Sequence, residues 1–134
     1  MKQFTSETQK IGEFGENSAC AYLIKNGYEV IERNFTKKYG EIDIVAKKRN
    51  NIHFIEVKAV SCEIGHDNVI HETIIRPEDN MHPMKIRRLT NTIQAYLLEK
   101  NISDDVLWQL DLACVHIDLK NKKAKVEIME NIIA

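Results

Sequence analysis

The chain has 134 residues, of which 43% are hydrophobic and 29% charged, and a net charge of −1. That size suits a single domain over residues 1–134 with one core. The composition excludes a membrane span, because no apolar run is long enough, and a disulfide framework, because Cys20, Cys62 and Cys114 are odd in number and far apart. Reduced thiols, and an N-terminal MKQFTSETQK with no apolar segment, lead us to expect a cytoplasmic protein with no signal peptide and no membrane partner. With a charge so near neutral, any grip on nucleic acid has to come from a local basic patch.

Thr5 or Ser6 can cap a first helix, with Glu7 in its first turn. Ile11, Phe14, Ala21, Tyr22 and Ile24 recur near helical spacing, and Gly27 is a natural stop. Gly15 lets a strand or ligand approach closely. Beside it, Glu16 reads by itself as a solvated helix acid. Tyr28 to Asn34 reads as a first strand and Phe35 to Tyr39 as a basic loop.

Two runs then flank a polar turn at Lys48-Arg49-Asn50-Asn51. Ile42–Ala46 and Ile52–Val57 are rich in β-branched and aromatic residues, as hairpin strands are. A turn at Arg49-Asn50 sets Asp43 opposite Glu56; a turn at Asn50-Asn51 sets it opposite Lys58. Either register puts Glu41, Asp43, Glu56 and Lys58 on one face, with Ile42, Ile44, Ile55 and Val57 on the other. Carboxylates inside core strands cost free energy unless something pairs with them. A hard divalent cation such as Mg²⁺ or Mn²⁺ relieves the repulsion and takes oxygen ligands. Lys58 could then hold or activate a water. The bland alternative is a ladder of acid–lysine pairs on a solvated sheet face.

Ser61 to Pro83 is punctuated by Gly65, Asp67, Asn68 and Pro77 and reads as an irregular binding loop, with a short strand within Val69–Ile75. Its His66, His71 and His82, with Cys62, lack the tight paired spacing of structural zinc ligands. All five histidines read as loop or sheet-surface residues, with His53 pointing away from the acids. Met84 to Lys100 is a second helix with an apolar stripe at Ile86, Leu89, Ile93, Tyr96 and Leu97. Lys85, Arg87 and Arg88 load its first turns with positive charge, against the helix dipole, and a bound phosphate would repair that. Val106–Asp118 and Ala124–Ile133 read as late strands. Asp111 interrupts the first of them and reads as structural, paired with a basic group.

Asp43, a gap of twelve residues, then Glu56-Val57-Lys58 resembles the PD-(D/E)XK nuclease signature. The order GEFGENSACAYLIKNGYEVIERNF, GEIDIVA, FIEVK, MKIRRL and LDLACV, from about Ile11 to Val115, resembles the YraN-type family. That family comprises small predicted endonucleases similar in fold to archaeal Holliday-junction resolvases. Val60, and Gln109-Leu110 before Asp111, depart from its usual arginine and arginine-phenylalanine. The resemblance implies a restriction-endonuclease-like α/β fold, a mixed central sheet flanked by helices in the order helix, three strands, helix, two strands. It implies Mg²⁺ or Mn²⁺ held by Asp43, Glu56, the Val57 carbonyl and Glu16 as a third acid, with Lys58 at the attacking water. Lys85, Arg87 and Arg88 would grip DNA phosphates. It also implies branched or structured DNA as substrate, for which a symmetric homodimer would be needed. The alternative is a non-catalytic nucleic-acid-binding domain on the same fold.

Overall fold

Runs of β-branched residues alternate with two helices, and each of the longer runs becomes a strand. The computed structural model describes residues 7–65, 70–71 and 81–133. In chain order the elements are α1 (Glu7–Lys25), β1 (Glu29–Lys37), β2 (Gly40–Lys48), β3 (Asn51–Ser61), β4 (Glu63–Ile64), β5 (Ile70–His71), α2 (Pro83–Glu99), β6 (Trp108–Asp118) and β7 (Lys123–Met129). The main sheet has the order β1-β2-β3-β6-β7, and β4 with β5 forms a separate pair. β3 and β6 run parallel while the other neighbours are antiparallel. A parallel pair needs a long crossover, and the segment carrying α2 supplies it. The result is a five-stranded mixed sheet with a helix on each face, the arrangement expected from the sequence and consistent with a restriction-endonuclease-like fold.

Both faces are buried. On one, Ala19, Cys20 and Leu23 of α1 pack on Ile44, Ala46, Ile55, Ala113, Val115 and Ile117. On the other, Leu89, Ile93 and Tyr96 of α2 pack on Phe35, Ile42, Val45, Ile52, Phe54 and Leu110. Strands covered on both sides read as near-continuous apolar runs, which is why Asp111 to Asp118 are all buried. Among the described residues no helix is long and apolar enough to cross a membrane.

Four expectations need correcting. In α1 the buried face is Gly15, Ala19, Cys20 and Leu23, while Phe14, Tyr22 and Ile24 are exposed. Small residues carry this contact because the helix sits very close to the sheet: a Cβ on Gly15 would lie 2.6 Å from the Ala59 Cβ. β1 continues through Phe35 to Lys37 rather than ending in a loop, since burying Phe35 beside Tyr96 keeps the strand extended. The alternative of a solvated acid–lysine ladder does not hold either, because Asp43 and Glu56 are half-buried in a cleft beside α1. His53 and His116 are buried rather than on the surface. The helix stop is as expected. Gly27 has φ 89°, its N–H donates to Ile24 O, and the Tyr28 N–H reaches back to Leu23 O, which is the Schellman arrangement. The Thr5 and Ser6 caps, His66 and most of the irregular loop lie outside the described residues.

Candidate functional site

The hairpin turn sets the geometry. Lys48 pairs with Asn51 and Ile44 with Ile55, so the turn is Arg49-Asn50 and the register is the one that aligns Asp43 with Glu56. The ladder stops at Ile44. Beyond it the Val57 N–H donates to Asp43 Oδ2 at 2.8 Å. On the other side of β2, Asn34 has a left-handed φ of 56°, which asparagine tolerates better than most residues. Arg33–Ile44 and Phe35–Ile42 pairs bracket it. This kink breaks the alternation of both strands: Ile42 and Phe35 turn to the α2 core, while Ile44 packs on the α1 side. Ile42 therefore leaves the apolar set that strict period-two counting assigns it to.

Glu16, Glu41, Asp43, Glu56 and Val57 line one cleft of about 640 Å³, walled by α1, β1, β2 and β3. Asp43 and Glu56 are half-buried, and their carboxyls lie close enough to act on each other. Burial and the neighbouring Glu56 carboxyl push the Asp43 carboxyl from 3.8 up to about 8, against the pull of the Val57 N–H and of Lys85. Two carboxyls in contact at neutral pH must share a proton or a cation. Glu16 is no solvated acid. Its side chain is 14% exposed, and Oε1 accepts from Arg33 Nε and Asn34 Nδ2, each at 2.9 Å. Arg33 Nη2 also donates to Asn17 Oδ1 at 2.7 Å. Arg33 and Asn34 carried no local signal as site residues, because only the fold brings β1 against α1.

Lys58 is half-buried but is not part of that lining. Its positive charge acts instead on the buried Cys114 thiol. Lys85 is the cation in electrostatic reach of Asp43. It sits in the first turn of α2, which contains no acid and whose cap is His82, with Nδ1 accepting the Lys85 N–H at 3.3 Å. Arg87 and Arg88 are exposed on the same helix. Of the basic residues between Arg33 and Lys58, Arg33 is engaged by Glu16, Lys37 by Glu99, and Lys48 lies over the Tyr28 ring.

Asp111 does pair with a basic group, His53 Nδ1, at 2.7 Å. It also accepts from Gln109 Nε2 and the Asn131 N–H. With Glu130, three potential metal-ligating side chains meet there. The hydrogen bonds to Asp111 account for its burial without a metal.

The model of uncharacterised protein family UPF0102 matches residues 15–119. A UPF0102 protein of Campylobacter fetus is 37% identical over 118 residues, 88% of this chain and 88% of the relative. One from Campylobacter jejuni is 38% identical over 121 residues, covering 90% and 91%. One from Helicobacter hepaticus is 36% identical over 121 residues, covering 90% and 92%.

Proposed function

We propose that this chain, which belongs to the uncharacterised protein family UPF0102, is a divalent-cation-dependent nuclease of the PD-(D/E)XK type acting on DNA phosphodiesters. The observation that carries the reading is the close Asp43–Glu56 carboxyl pair in a cleft with Glu16. The donor set is all oxygen, which suits Mg²⁺ or Mn²⁺. In an extended strand a residue's N–H and C=O lie on the same edge, so the Val57 carbonyl shares the edge that meets Asp43. Asp43, Glu56 and Val57 would hold the cation, with Glu16 as a further acid oriented by Arg33 and Asn34. When bound, the cation polarises the phosphoryl group and lowers the pKa of water.

The chain's own groups do the rest. With a cation bound, the Asp43–Glu56 pair would release its shared proton to solvent and offer both carboxylates as ligands. Arg33 keeps the Glu16 carboxylate aimed into the cleft. Lys85, beside Asp43, supplies positive charge for a non-bridging phosphate oxygen, and Arg87 and Arg88 extend that contact along α2. Lys58 orients water or neutralises developing charge by moving from its Cys114 side. That Lys58 is not in the cleft lining favours a second reading, a DNA-binding domain without turnover.

Cleavage of single-stranded, duplex, flap and four-way-junction DNA with Mg²⁺ or Mn²⁺ tests this, comparing wild type with Asp43→Ala and Lys58→Ala. Cleavage lost in both variants supports the nuclease and these roles. Equal cleavage in all three proteins sinks the site. Metal-dependent binding without cleavage, abolished by Asp43→Ala, supports the second reading. Branched DNA as the preferred substrate would also call for a two-fold dimer, which sedimentation of the protein–junction complex would reveal.

A further inference from the structure

Among the described residues, His116 holds the buried side-chain atom with no hydrogen-bond partner, its Nδ1. A buried polar group left unpaired costs free energy. The ring's polar neighbours lie at its other nitrogen. Nε2 lies 3.5 Å from Cys114 Sγ and 3.8 Å from Glu127 Oε2.

Register explains the convergence. Cys114 and His116 are two apart on β6 and share a face. Glu127 is directly opposite Cys114 on β7. His116 Nε2 thus has a thiol and a carboxylate on either side of it across two neighbouring strands, a spacing that a search for paired cysteines and histidines in sequence misses. Zinc–sulfur and zinc–nitrogen bonds of about 2.3 and 2.0 Å at a tetrahedral angle put the two ligand atoms about 3.5 Å apart, which is the separation seen.

The geometry points to a binding site for a thiophilic divalent cation of the zinc type at Cys114, His116 and Glu127, separate from the oxygen-lined cleft at Asp43. Sulfur and imidazole select this class, whereas an all-oxygen set selects magnesium or manganese. Cys114 and His116 are buried, while the Glu127 side chain is 56% exposed. Its carboxylate can swing in from solvent at little cost and marks the way in for the ion. Burial and Glu127 push the Cys114 thiol up to about 11, and Lys58, its neighbour on β3, pulls the other way. Coordination displaces the thiol proton to solvent, so binding releases a proton. Cys62 lies in electrostatic range of Cys114 at the end of β3, and it is the thiol to control for.

The test uses the reduced, metal-stripped full chain titrated with Co²⁺ and then with Zn²⁺, read by the thiolate-to-cobalt charge-transfer band. The expected result is one thiolate-bound cation per chain. The band survives Asp43→Ala and excess Mg²⁺, vanishes in Cys114→Ser, and needs at least about tenfold more Co²⁺ in Glu127→Gln. Glu127 is exposed, so that variant keeps the test valid if Cys114→Ser does not fold. The inference is overturned if wild type gives no such band. It is also overturned if the band persists in folded Cys114→Ser, is unchanged in Glu127→Gln, or disappears with Asp43→Ala. The readout is the cation and not cleavage, so its failure leaves the nuclease reading standing.

Discussion

Gly15→Ala probes the contact that brings α1 to the site. A Cβ at this position would lie 2.6 Å from the Ala59 Cβ, with Ala59 Cα at 3.7 Å. Carbon atoms pack at about 3.5–4.0 Å, so α1 must retreat from β3 by about 1 Å. Overpacking of this kind costs about 1–3 kcal/mol. Alanine returns about 0.5–1 kcal/mol through helix propensity. The net expectation is a loss of about 1–2 kcal/mol, or about 3–8 °C in Tm for a domain this size. The same retreat carries Glu16 from Arg33 and Asn34, stretching two 2.9 Å hydrogen bonds beyond useful length. If the chain is a nuclease, cleavage falls by about 10- to 100-fold. Ala59→Gly in the same chain opens the space again and should restore both stability and activity. Chemical denaturation of the two single variants and the double variant measures the coupling. A Gly15→Ala protein as stable as wild type refutes the close-contact argument. So does a destabilised one that Ala59→Gly does not rescue.

Four further expectations follow from the electrostatics. Mn²⁺ at 100 times its dissociation constant should stabilise wild type by about 2.7 kcal/mol and leave Asp43→Asn unchanged in a thermal shift assay. Without metal, the same variant should be the more stable protein at pH 8, because it removes a carboxyl whose charge is opposed by burial and by Glu56. Asp118 is held down to about 2 by the Ile64 N–H, the Asn121 side chain and backbone N–H, and the Lys120 backbone N–H. Its stabilisation is complete above its ordinary value of 3.8 and is lost as pH falls towards 2. Tm measured from pH 2 to 6 should therefore drop across that window in wild type, and Asp118→Asn should flatten the drop while lowering Tm at pH 7. Asp111→Ala leaves His53, the Gln109 amide and the Asn131 N–H without their acceptor in a buried site. A loss of about 3–5 kcal/mol is expected, and urea denaturation at neutral pH checks it.

Cation affinity and cleavage report on different parts of the cleft. Under the proposed function the acids would hold the cation, whereas the basic residues of α2 would meet the phosphate. A variant such as Arg88→Ala should weaken DNA binding and reduce its salt dependence without changing Mn²⁺ stabilisation. Arg88 also contributes its backbone carbonyl to a close contact with Gly40, where an added Cβ would lie 3.4 Å away. That carbonyl accepts from Thr92 and is untouched by a side-chain change.

The sequence by itself determined the order of elements, the hairpin and the acids inside it. These are local properties: period-two alternation, a polar turn and carboxylates in runs that should be apolar. Local chemistry also marked the stop at Gly27 and the apolar stripe of α2. Only tertiary structure decided the rest. The register of the hairpin depended on which pair formed the turn, and two choices were equally compatible with the alternation. The break in that alternation at Asn34 and Asp43 follows from how three strands meet, so Ile42 could not be assigned to its core from spacing. The face α1 buries was misread because Gly15 and Ala19 pack by their smallness, and hydrophobic periodicity counts large residues. Arg33 became the partner of Glu16, and His53 that of Asp111, across 17 and 58 residues of chain. Contacts so distant in sequence leave no local pattern, because their cost and gain appear only when the sheet closes.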